Sequence, residues 1–177
     1  QLNKVLHRLN QAGLKVNAPK SFFGKTECKY LGYWITRNGI QPLPSKVNAV
    51  QELKAPRTKK ELRSFIGLVS YYRYMWRGRS HMLSPITKLC STKVKFIWTP
   101  ETQSAFENIK KLVAREVLLA YPDFEKEFDI HTDASKLQLG AVISQDGKPI
   151  AFYSRKLNPA QTRYTTAERE LLSIVEV

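Results

Sequence analysis

Apolar residues recur at helical spacing in several parts of the chain and alternate with polar residues in others. Near the N-terminus they stand three and four positions apart and stop before Gly13, which is typical of a helix end. We interpret this segment as the C-terminal part of a helix. Its apolar positions are Leu2, Val5, Leu6 and Leu9. From Cys28 to Ile40 the residues become aromatic and β-branched, and Asn38-Gly39 after this strand-like run predicts a β-hairpin turn.

Residues 45–116 have the pattern of an all-helical region. Thr58 and Glu61 stand three apart and predict a capping box, in which the Thr58 hydroxyl accepts from the N–H of Glu61 and the Glu61 carboxylate accepts from that of Thr58. The helix that follows has two predicted faces. The apolar face contains Leu62, Phe65, Ile66, Val69, Tyr72 and Trp76. The basic and aromatic face, which suits a nucleic-acid backbone, contains Arg63, Gly67, Ser70, Tyr74 and Arg77.

A second strong helix start is Thr99-Pro100-Glu101, which combines a cap, a proline at the first position and an acid in the first turn. The buried stripe predicted for this helix contains Ala105, Phe106, Ile109, Leu112 and Val113.

After Pro122 the pattern changes to strands. Alternation places Asp133 on the same strand face as Asp129. Residues 139–144 and 150–155 predict the next two strands, joined at Asp146-Gly147, so that three antiparallel strands precede a helix from about Thr166. The apolar stripe predicted for this helix contains Leu171, Leu172, Ile174 and Val175.

The charge of the chain is unevenly distributed. The net charge is +14, and residues 1–125 contain 22 basic and 8 acidic side chains, whereas residues 126–177 contain 7 of each. Residues 46–97 alone contain 12 basic and 2 acidic groups. Such a balance attracts polyanions, so the basic part is expected to hold nucleic acid in a salt-dependent manner. The alternative for any single residue is an ordinary solvated surface.

The remaining composition excludes several classes of protein. A length of 177 residues with 42% hydrophobic content is enough for a core, and no apolar run approaches the roughly 20 residues that span a bilayer. We therefore expect a soluble, intracellular protein. Cys28 and Cys90 lie far apart and match no metal spacing, so they are expected to be free thiols, and the scattered histidines argue against a zinc site.

Asp133 at the end of a strand, with acids on the following helix, predicts divalent-metal chemistry. Carboxylates on a central strand and on a helix packed across it can converge on cations that activate water against a phosphodiester. The helix offers Glu168 and Glu170, which point about 200° apart and cannot both face the metals. Two-metal sites generally need three or four carboxylates, so we expect the chain to be a piece of a larger enzyme.

The chain resembles the Pol polyprotein of gypsy-type LTR retrotransposons. Six stretches match in the family's order. They are LNQAGLKVNAPK at 9–20, YLGY at 30–33 with NGI at 38–40, LRSFIGLVSYYR at 62–73, FIWT at 96–99, TDAS at 132–135 and ERELL at 168–172. The resemblance implies an α+β chain with three parts. These are the C-terminal end of a reverse-transcriptase palm with a primer-grip-like hairpin (1–44), a helical thumb and connector (45–122), and the first three antiparallel strands and first helix of a ribonuclease H-like domain (123–177).

The resemblance also implies the functional residues. Those expected to contact a template–primer duplex, either an RNA–DNA hybrid or DNA, are Tyr30, Leu31, Gly32, Tyr33, Arg63, Gly67, Arg73 and Arg77. Asp133 and Glu170 correspond to two metal-binding acids of a nuclease that uses two Mg²⁺ ions. The family's Leu-x-small-aliphatic run favours Glu170 over Glu168, whose alternative role is a first-turn acid. The polymerase aspartates have no counterpart here, so the chain alone is expected to be inactive.

The resemblance further implies the remainder of the Pol polyprotein as a partner, and a cytoplasmic, virus-like-particle location with transport into the nucleus. Two alternatives stay open. One is a connection module that lost its nuclease activity, against which the pair Asp133 and Glu170 argues. The other is a basic RNA-binding protein unrelated to polymerases.

Overall fold

Two antiparallel three-stranded sheets flank a helical region along the chain in the computed structural model, which describes residues 1–177. The elements are α1 (Leu2–Gln11), β1 (Cys28–Tyr30), β2 (Tyr33–Thr36), β3 (Gly39–Pro42), α2 (Pro44–Glu52), α3 (Lys59–Tyr71), α4 (Arg79–Thr87), α5 (Pro100–Val113), β4 (Asp129–Ala134), β5 (Gln138–Gln145), β6 (Lys148–Lys156) and α6 (Thr166–Glu176). The predicted α+β class is confirmed. None of these helices is long and apolar enough to cross a bilayer.

Helix α1 ends where the sequence predicted. Gly13 adopts a left-handed conformation with φ +69°. This lets the N–H of Leu14 donate to the Leu9 carbonyl at 2.9 Å and the N–H of Gly13 donate to that of Asn10 at 3.0 Å. These are the two hydrogen bonds of a Schellman ending, in which glycine avoids the steric cost of a side chain at positive φ.

The strand-like run before Asn38-Gly39 does not form one strand. The run is split between β1 and β2 by a tight turn at Leu31 and Gly32, with φ of +44° and +78°. Positive φ at both central residues is the signature of a type I′ hairpin. Tyr30 and Tyr33 form the closing pair of this hairpin.

The hairpin predicted at Asn38-Gly39 is present, but its turn lies one residue earlier. Thr36 pairs with Gly39, so Arg37 and Asn38 form the loop and Gly39 begins β3. Gly39 is needed for another reason. A Cβ atom there would lie 2.2 Å from the Leu119 carbonyl oxygen, which accepts the N–H of Ile40 at 2.8 Å.

The helical region contains the main hydrophobic core, which is formed by α2 to α5 and the turns between them. Leu119, which forms an isolated β-bridge with Ile40, completes it. The 16 buried members of this core are Val50, Leu62, Phe65, Val69, Tyr72, Met75, Trp76, Leu83, Ile86, Leu89, Ala105, Phe106, Ile109, Leu112, Val113 and Leu119. The stripe predicted for α5 is therefore confirmed in full. The expectation of an all-helical region is only partly correct, because residues 53–58, 72–78 and 91–99 are not α-helical.

The start of α3 differs in one hydrogen bond from the predicted capping box. The Thr58 hydroxyl accepts from the N–H of Glu61 at 3.2 Å, as expected. The Glu61 carboxylate instead accepts from the N–H of Arg57, one residue before the cap, at 2.8 Å. The helix still begins at Lys59 because the Thr58 cap satisfies one of its free N–H groups.

Helix α3 also ends earlier than its pattern indicated. It stops at Tyr71, and the chain turns so that Tyr72, Met75 and Trp76 all point into the core, with 3% or less of their surface exposed. The predicted basic face is thus not one helical face, because Tyr74 and Arg77 lie in the turn after the helix.

The C-terminal sheet has the predicted order β4-β5-β6. Asp146 and Gly147 form its second turn with φ of +50° and +72°, as expected of this dipeptide in a type I′ hairpin. Leu139 and Ala141 on β5 are buried, with 0% and 5% of their surface exposed.

Helix α6 begins at Thr166 as predicted, but three of the four residues of its predicted apolar stripe are exposed, and only Leu172 is half-buried. Leu171, Ile174 and Val175 are 63%, 63% and 83% exposed, whereas Arg169 and Ser173 are buried. The helix packs on the sheet through the side that carries these two polar residues. Ser173 tolerates burial because its hydroxyl donates to the Glu170 carbonyl at 2.6 Å.

Candidate nucleic-acid and metal-binding site

The predicted primer-grip residues lie at an exposed turn that two tyrosines hold in place. Tyr72 donates its hydroxyl to the Gly32 carbonyl at 2.7 Å, and Tyr71 donates to the Leu31 carbonyl. These bonds fix the turn against the end of α3, while Tyr30 and Leu31 remain 59% and 67% exposed. Burial raises the pKa of Tyr72 to about 12, so it stays a hydroxyl donor at neutral pH.

The aromatic rings add a second restraint on the same turn. Tyr33 stacks on Tyr71 with ring centroids 5.7 Å apart and meets Tyr72 edge-on at 5.2 Å. The structure therefore brings together one end of the first hairpin and the end of α3, which lie about 40 positions apart in the chain. The sequence pattern placed Tyr72 only on an apolar face and indicated no role for Tyr71, because nothing local to the Tyr71-Tyr72 pair indicates its distant partners.

The basic residues predicted to contact a duplex differ in how they are held. Arg63 donates from Nη2 to the Cys90 carbonyl at 2.7 Å, so this side chain joins α3 to the turn after α4. The Arg73 guanidinium lies over the Tyr74 ring at 4.8 Å, and Arg77 is exposed. A Cβ atom on Gly67 would meet nothing within 4 Å, so the surface there is open.

Asp133 lines a cavity of about 420 Å³ between the C-terminal sheet and the turn before α4. The lining residues include Arg77, His131, Ser135 and Gln138. Asp133 is exposed, and its carboxylate makes no ion pair or hydrogen bond. Ser135 fixes the turn that follows, since its hydroxyl accepts the N–H groups of Leu137 and Gln138 at 3.2 and 3.0 Å.

Cross-strand pairing shows which side of the sheet Asp133 occupies. Asp133 is paired with Gly140 and, one strand further, Ser154. Ser154 faces α4, because its hydroxyl accepts the N–H of Ser80 at 3.1 Å. Directly paired residues share a sheet face. Asp133 thus lies on the side of α4. Arg155 follows Ser154 on β6 and so points to the opposite face, where it lies 3.0 Å from Glu176 of α6, so α6 is on that face.

The two candidate acids of α6 have different surroundings. Glu168 completes a capping box: its carboxylate accepts from the N–H of Thr165 at 2.7 Å, and the Thr165 hydroxyl accepts from the N–H of Glu168 at 3.2 Å. The bond from the Thr165 N–H is the main cause of the lowered pKa of Glu168. Glu170 is half-buried and its carboxylate has no hydrogen bond or ion pair. Glu168 therefore has the structural role considered as its alternative.

The structure contains no group of three or more His, Cys, Asp or Glu side chains arranged to hold a metal ion. Asp133 and Glu170 stand on elements that pack together but on the two sides of the sheet. Unpaired carboxylates are the ligands that Mg²⁺ prefers, and Mg²⁺ is commonly held by one or two of them together with substrate phosphates. The donor chemistry of this pair fits that ion.

Comparison with known proteins identifies the family of proteins that this chain resembles and the region of those proteins that it matches. A family model described as an RNase H-like domain found in reverse transcriptase matches residues 98–177. The chain is 42% identical over 176 residues to the retrovirus-related Pol polyprotein from transposon 297 of Drosophila melanogaster, covering 97% of this chain and 16% of that protein. It is 38% identical over 186 residues to the Pol polyprotein from transposon gypsy of the same organism, covering 98% and 18%.

Solved structures agree with this relation. The foamy viral protease-reverse transcriptase in complex with an RNA/DNA hybrid superposes with a TM-score of 0.86 and 28% identity, covering 99% of this chain and 24% of that one. The same viral protein in complex with double-stranded DNA gives a TM-score of 0.84 and 28% identity, covering 99% and 38%. The chain therefore spans less than half the length of each of these relatives. It belongs to the Pol polyproteins of gypsy-type LTR retrotransposons, in the C-terminal region of reverse transcriptase with its RNase H-like domain.

Proposed function

We propose that this region grips a template–primer duplex within a reverse transcriptase that synthesises DNA from RNA and cleaves the RNA of RNA–DNA hybrids. The observation that carries the proposal is the superposition of 99% of the chain on a reverse transcriptase in complex with an RNA/DNA hybrid. The charge distribution supports the same partner, because the excess of basic residues lies in residues 1–125.

In this proposal the chain has three parts. Residues 1–44 are the end of the palm with the primer-grip hairpin, residues 45–122 are the thumb and connector, and residues 123–177 are the first half of the ribonuclease H domain. The tyrosine contacts support the first assignment, because they hold the Leu31-Gly32 turn while leaving Tyr30 and Leu31 exposed to a partner. Of the proposed duplex contacts, Arg73 and Arg77 are the exposed arginines whose side chains make no hydrogen bond within the chain.

For the nuclease we propose Asp133 and Glu170 as metal-binding residues and Mg²⁺ as the cofactor. When bound, two such ions activate water and stabilise the leaving oxygen of a phosphodiester. The chain's own contribution is to present unpaired carboxylate oxygens beside the cavity at Asp133 and on α6. The capping bonds of Glu168 support Glu170, because a carboxylate already engaged by two donors is less available to a cation.

Duplex binding is tested by fluorescence anisotropy with residues 1–177 and labelled RNA–DNA hybrids of unrelated sequence. We expect similar affinity for each sequence and a steep loss with salt, of about −0.9 on a log–log plot for each phosphate contacted. Arg77→Gln should weaken binding and make the slope shallower by about the contribution of one phosphate contact. Lys148 is exposed and lies in residues 126–177, which carry no net charge, so Lys148→Gln should change neither the affinity nor the slope. A flat salt response would refute the proposal.

Cleavage is tested in the longer polyprotein segment that contains this region and the rest of the nuclease. Asp133→Asn and Glu170→Gln should each abolish cleavage of a hybrid while hybrid binding is retained, and Glu168→Gln should be close to neutral. Loss of activity with Glu168→Gln but not with Glu170→Gln would reverse the assignment of the helix acid. If none of the three matters, residues 123–177 act as a connection module.

A further inference from the structure

Three arginines line one cavity between the end of α3 and the C-terminal sheet. The cavity measures about 300 Å³, and its lining residues are Arg73, Tyr74, Arg79, Tyr153, Ser154 and Arg155. None of them is acidic. The arginines come from the turn after α3, the first position of α4 and the end of β6, so only the folded chain brings them together.

The guanidinium groups are only partly satisfied by the protein. Arg79 donates from Nη1 to the Ser70 hydroxyl at 3.2 Å, and Arg155 donates from Nη1 to Gln161 Oε1 at 3.1 Å. The Nε atoms of both residues are buried without a hydrogen-bond partner. Buried donors normally have partners, and each guanidinium has five N–H groups to satisfy.

Charge in the cavity is also poorly compensated. Arg155 Nη2 lies 3.0 Å from Glu176 Oε1, although not at a hydrogen-bonding angle, and neither Arg73 nor Arg79 has an acidic partner. Burial first, and then the charge of Arg73, lower the pKa of Arg79, which indicates that its charged form lacks compensation. An arrangement with three cations and one carboxylate favours an anion as the missing component.

We propose that this cavity is a phosphate-binding site. A phosphate group offers several acceptor oxygens, matches the planar fork of arginine and would satisfy the unpartnered donors through charge-assisted hydrogen bonds. The cavity shares Tyr153 and Ser154 with the cavity that contains Asp133. A nucleic-acid strand passing Asp133 would bring a neighbouring phosphodiester within reach, so the source of the phosphate that we favour is the strand. That part of the inference depends on the proposed function.

The first arm of the test uses inorganic phosphate and does not depend on duplex binding. Thermal unfolding of residues 1–177 is followed while phosphate is titrated against chloride at equal ionic strength. Phosphate should raise the midpoint progressively, because a ligand of the folded state stabilises it. Arg73→Gln and Arg79→Gln should each weaken the apparent affinity about tenfold or more. Arg115→Gln, an exposed arginine away from the cavity, is the matched control.

Arg73→Gln is the variant least expected to disturb folding, because the Arg73 side chain makes no hydrogen bond within the protein. Arg79→Gln also removes the hydrogen bond to Ser70. An equal response to phosphate in Arg73→Gln and Arg115→Gln, or an equal response of the unmodified chain to phosphate and chloride, overturns the site.

The second arm measures hybrid binding over a salt series. If a strand phosphate occupies the cavity, Arg73→Gln, Arg79→Gln and the double variant should each make the log–log slope shallower by about one phosphate, because both arginines serve the same group. A phosphate response in the first arm without this change assigns the site to a free anion and excludes the strand. Failure of the unmodified chain to bind any hybrid refutes the proposed function and leaves the first arm as the test of the site.

Discussion

The helical region (44–113) and the C-terminal sheet with α6 (129–176) both have amphipathic helices, but the apolar sides of these helices are buried in the first region and largely exposed in the second. All but one of the 16 residues of the main core come from the helical region, and its apolar stripes face one another. In the C-terminal unit, the most apolar side of α6 faces outward, with Val175 83% exposed. An amphipathic pattern therefore shows which side of a helix is apolar, but the surrounding elements decide whether that side is covered.

The two regions also differ in charge and in their candidate chemistry. The helical region carries most of the excess of basic residues, whereas residues 126–177 are neutral and hold both proposed metal-binding acids. Phosphate contacts position a nucleic acid, and carboxylates near it hold the ions that act on it. The junction between the regions combines both, because Arg77 and Asp133 line the same cavity.

The largest expected contrast is between two leucines on helices of the two regions. Leu62→Ala on α3 should lower the free energy of unfolding by about 2–5 kcal/mol, because Leu62 is fully buried and its loss leaves a cavity. Leu171→Ala on α6 should change it by no more than about 0.5 kcal/mol, because Leu171 is 63% exposed. Urea unfolding followed by circular dichroism measures both.

Because the chemical change is the same Leu→Ala step on a helix, helix propensity contributes equally to the two variants. A loss at Leu171 as large as that at Leu62 would show that the apolar side of α6 is covered in solution, for example by a second copy of the chain. Repeating the Leu171→Ala measurement over a tenfold range of protein concentration separates that case, since self-association makes stability depend on concentration.

A smaller effect is expected where the helical region holds the first hairpin. Tyr72→Phe should lower the free energy of unfolding by about 0.5–1.5 kcal/mol. The loss is small for a buried hydroxyl because the Gly32 carbonyl still accepts a second hydrogen bond, from the N–H of Leu43 at 3.1 Å. Tyr74→Phe is the control, since its hydroxyl makes no hydrogen bond. Equal costs for the two variants would mean that the hydroxyl bond to the turn contributes nothing.

The sequence predicts elements well where the signals are local. Helix α5 carries its cap at Thr99, its proline at the first position and its whole buried stripe within 15 residues, and each was correctly predicted. The strand that ends beside Asp133 was likewise predicted from local alternation. The turn at Leu31-Gly32 was missed because leucine is a poor turn residue. Its positive φ is held by hydroxyls of Tyr71 and Tyr72, some 40 positions away.

Features that depend on distant parts of the chain could not be read from it. The arginine cavity joins positions 73, 79 and 155, and no spacing in the sequence relates them. The buried Arg169 and Ser173 of α6 interrupt its apolar pattern, so the sequence indicated the wrong side of the helix as buried. The spacing of apolar residues predicts which side of a helix is apolar, whereas the side that contacts the rest of the protein depends on the whole fold.

The smallest expected effect concerns the start of α6. Capping hydrogen bonds hold this first turn in place, although the apolar side of the helix is exposed. The N–H and hydroxyl of Thr165 both donate to the Glu168 carboxylate, and these bonds lower the pKa of Glu168 below its usual value of 4.5. A carboxyl whose pKa is lower in the folded state stabilises that state above its usual pKa. The contribution is lost as the pH falls through the lowered value.

Glu168→Gln keeps an acceptor for the capping bond and removes only the charge. It should therefore unfold at slightly lower urea concentration than the unmodified chain at pH 7, and the difference should shrink as the pH falls below the usual carboxyl pKa and through the lowered pKa of Glu168. Glu170→Gln is the matched control two positions further on, and because the Glu170 carboxylate has no partner it should leave the unfolding midpoint unchanged at pH 7. A difference for Glu168→Gln that does not shrink as the pH is lowered, or an equal loss with Glu170→Gln at pH 7, would show that the charge of Glu168 is not what fixes the start of α6.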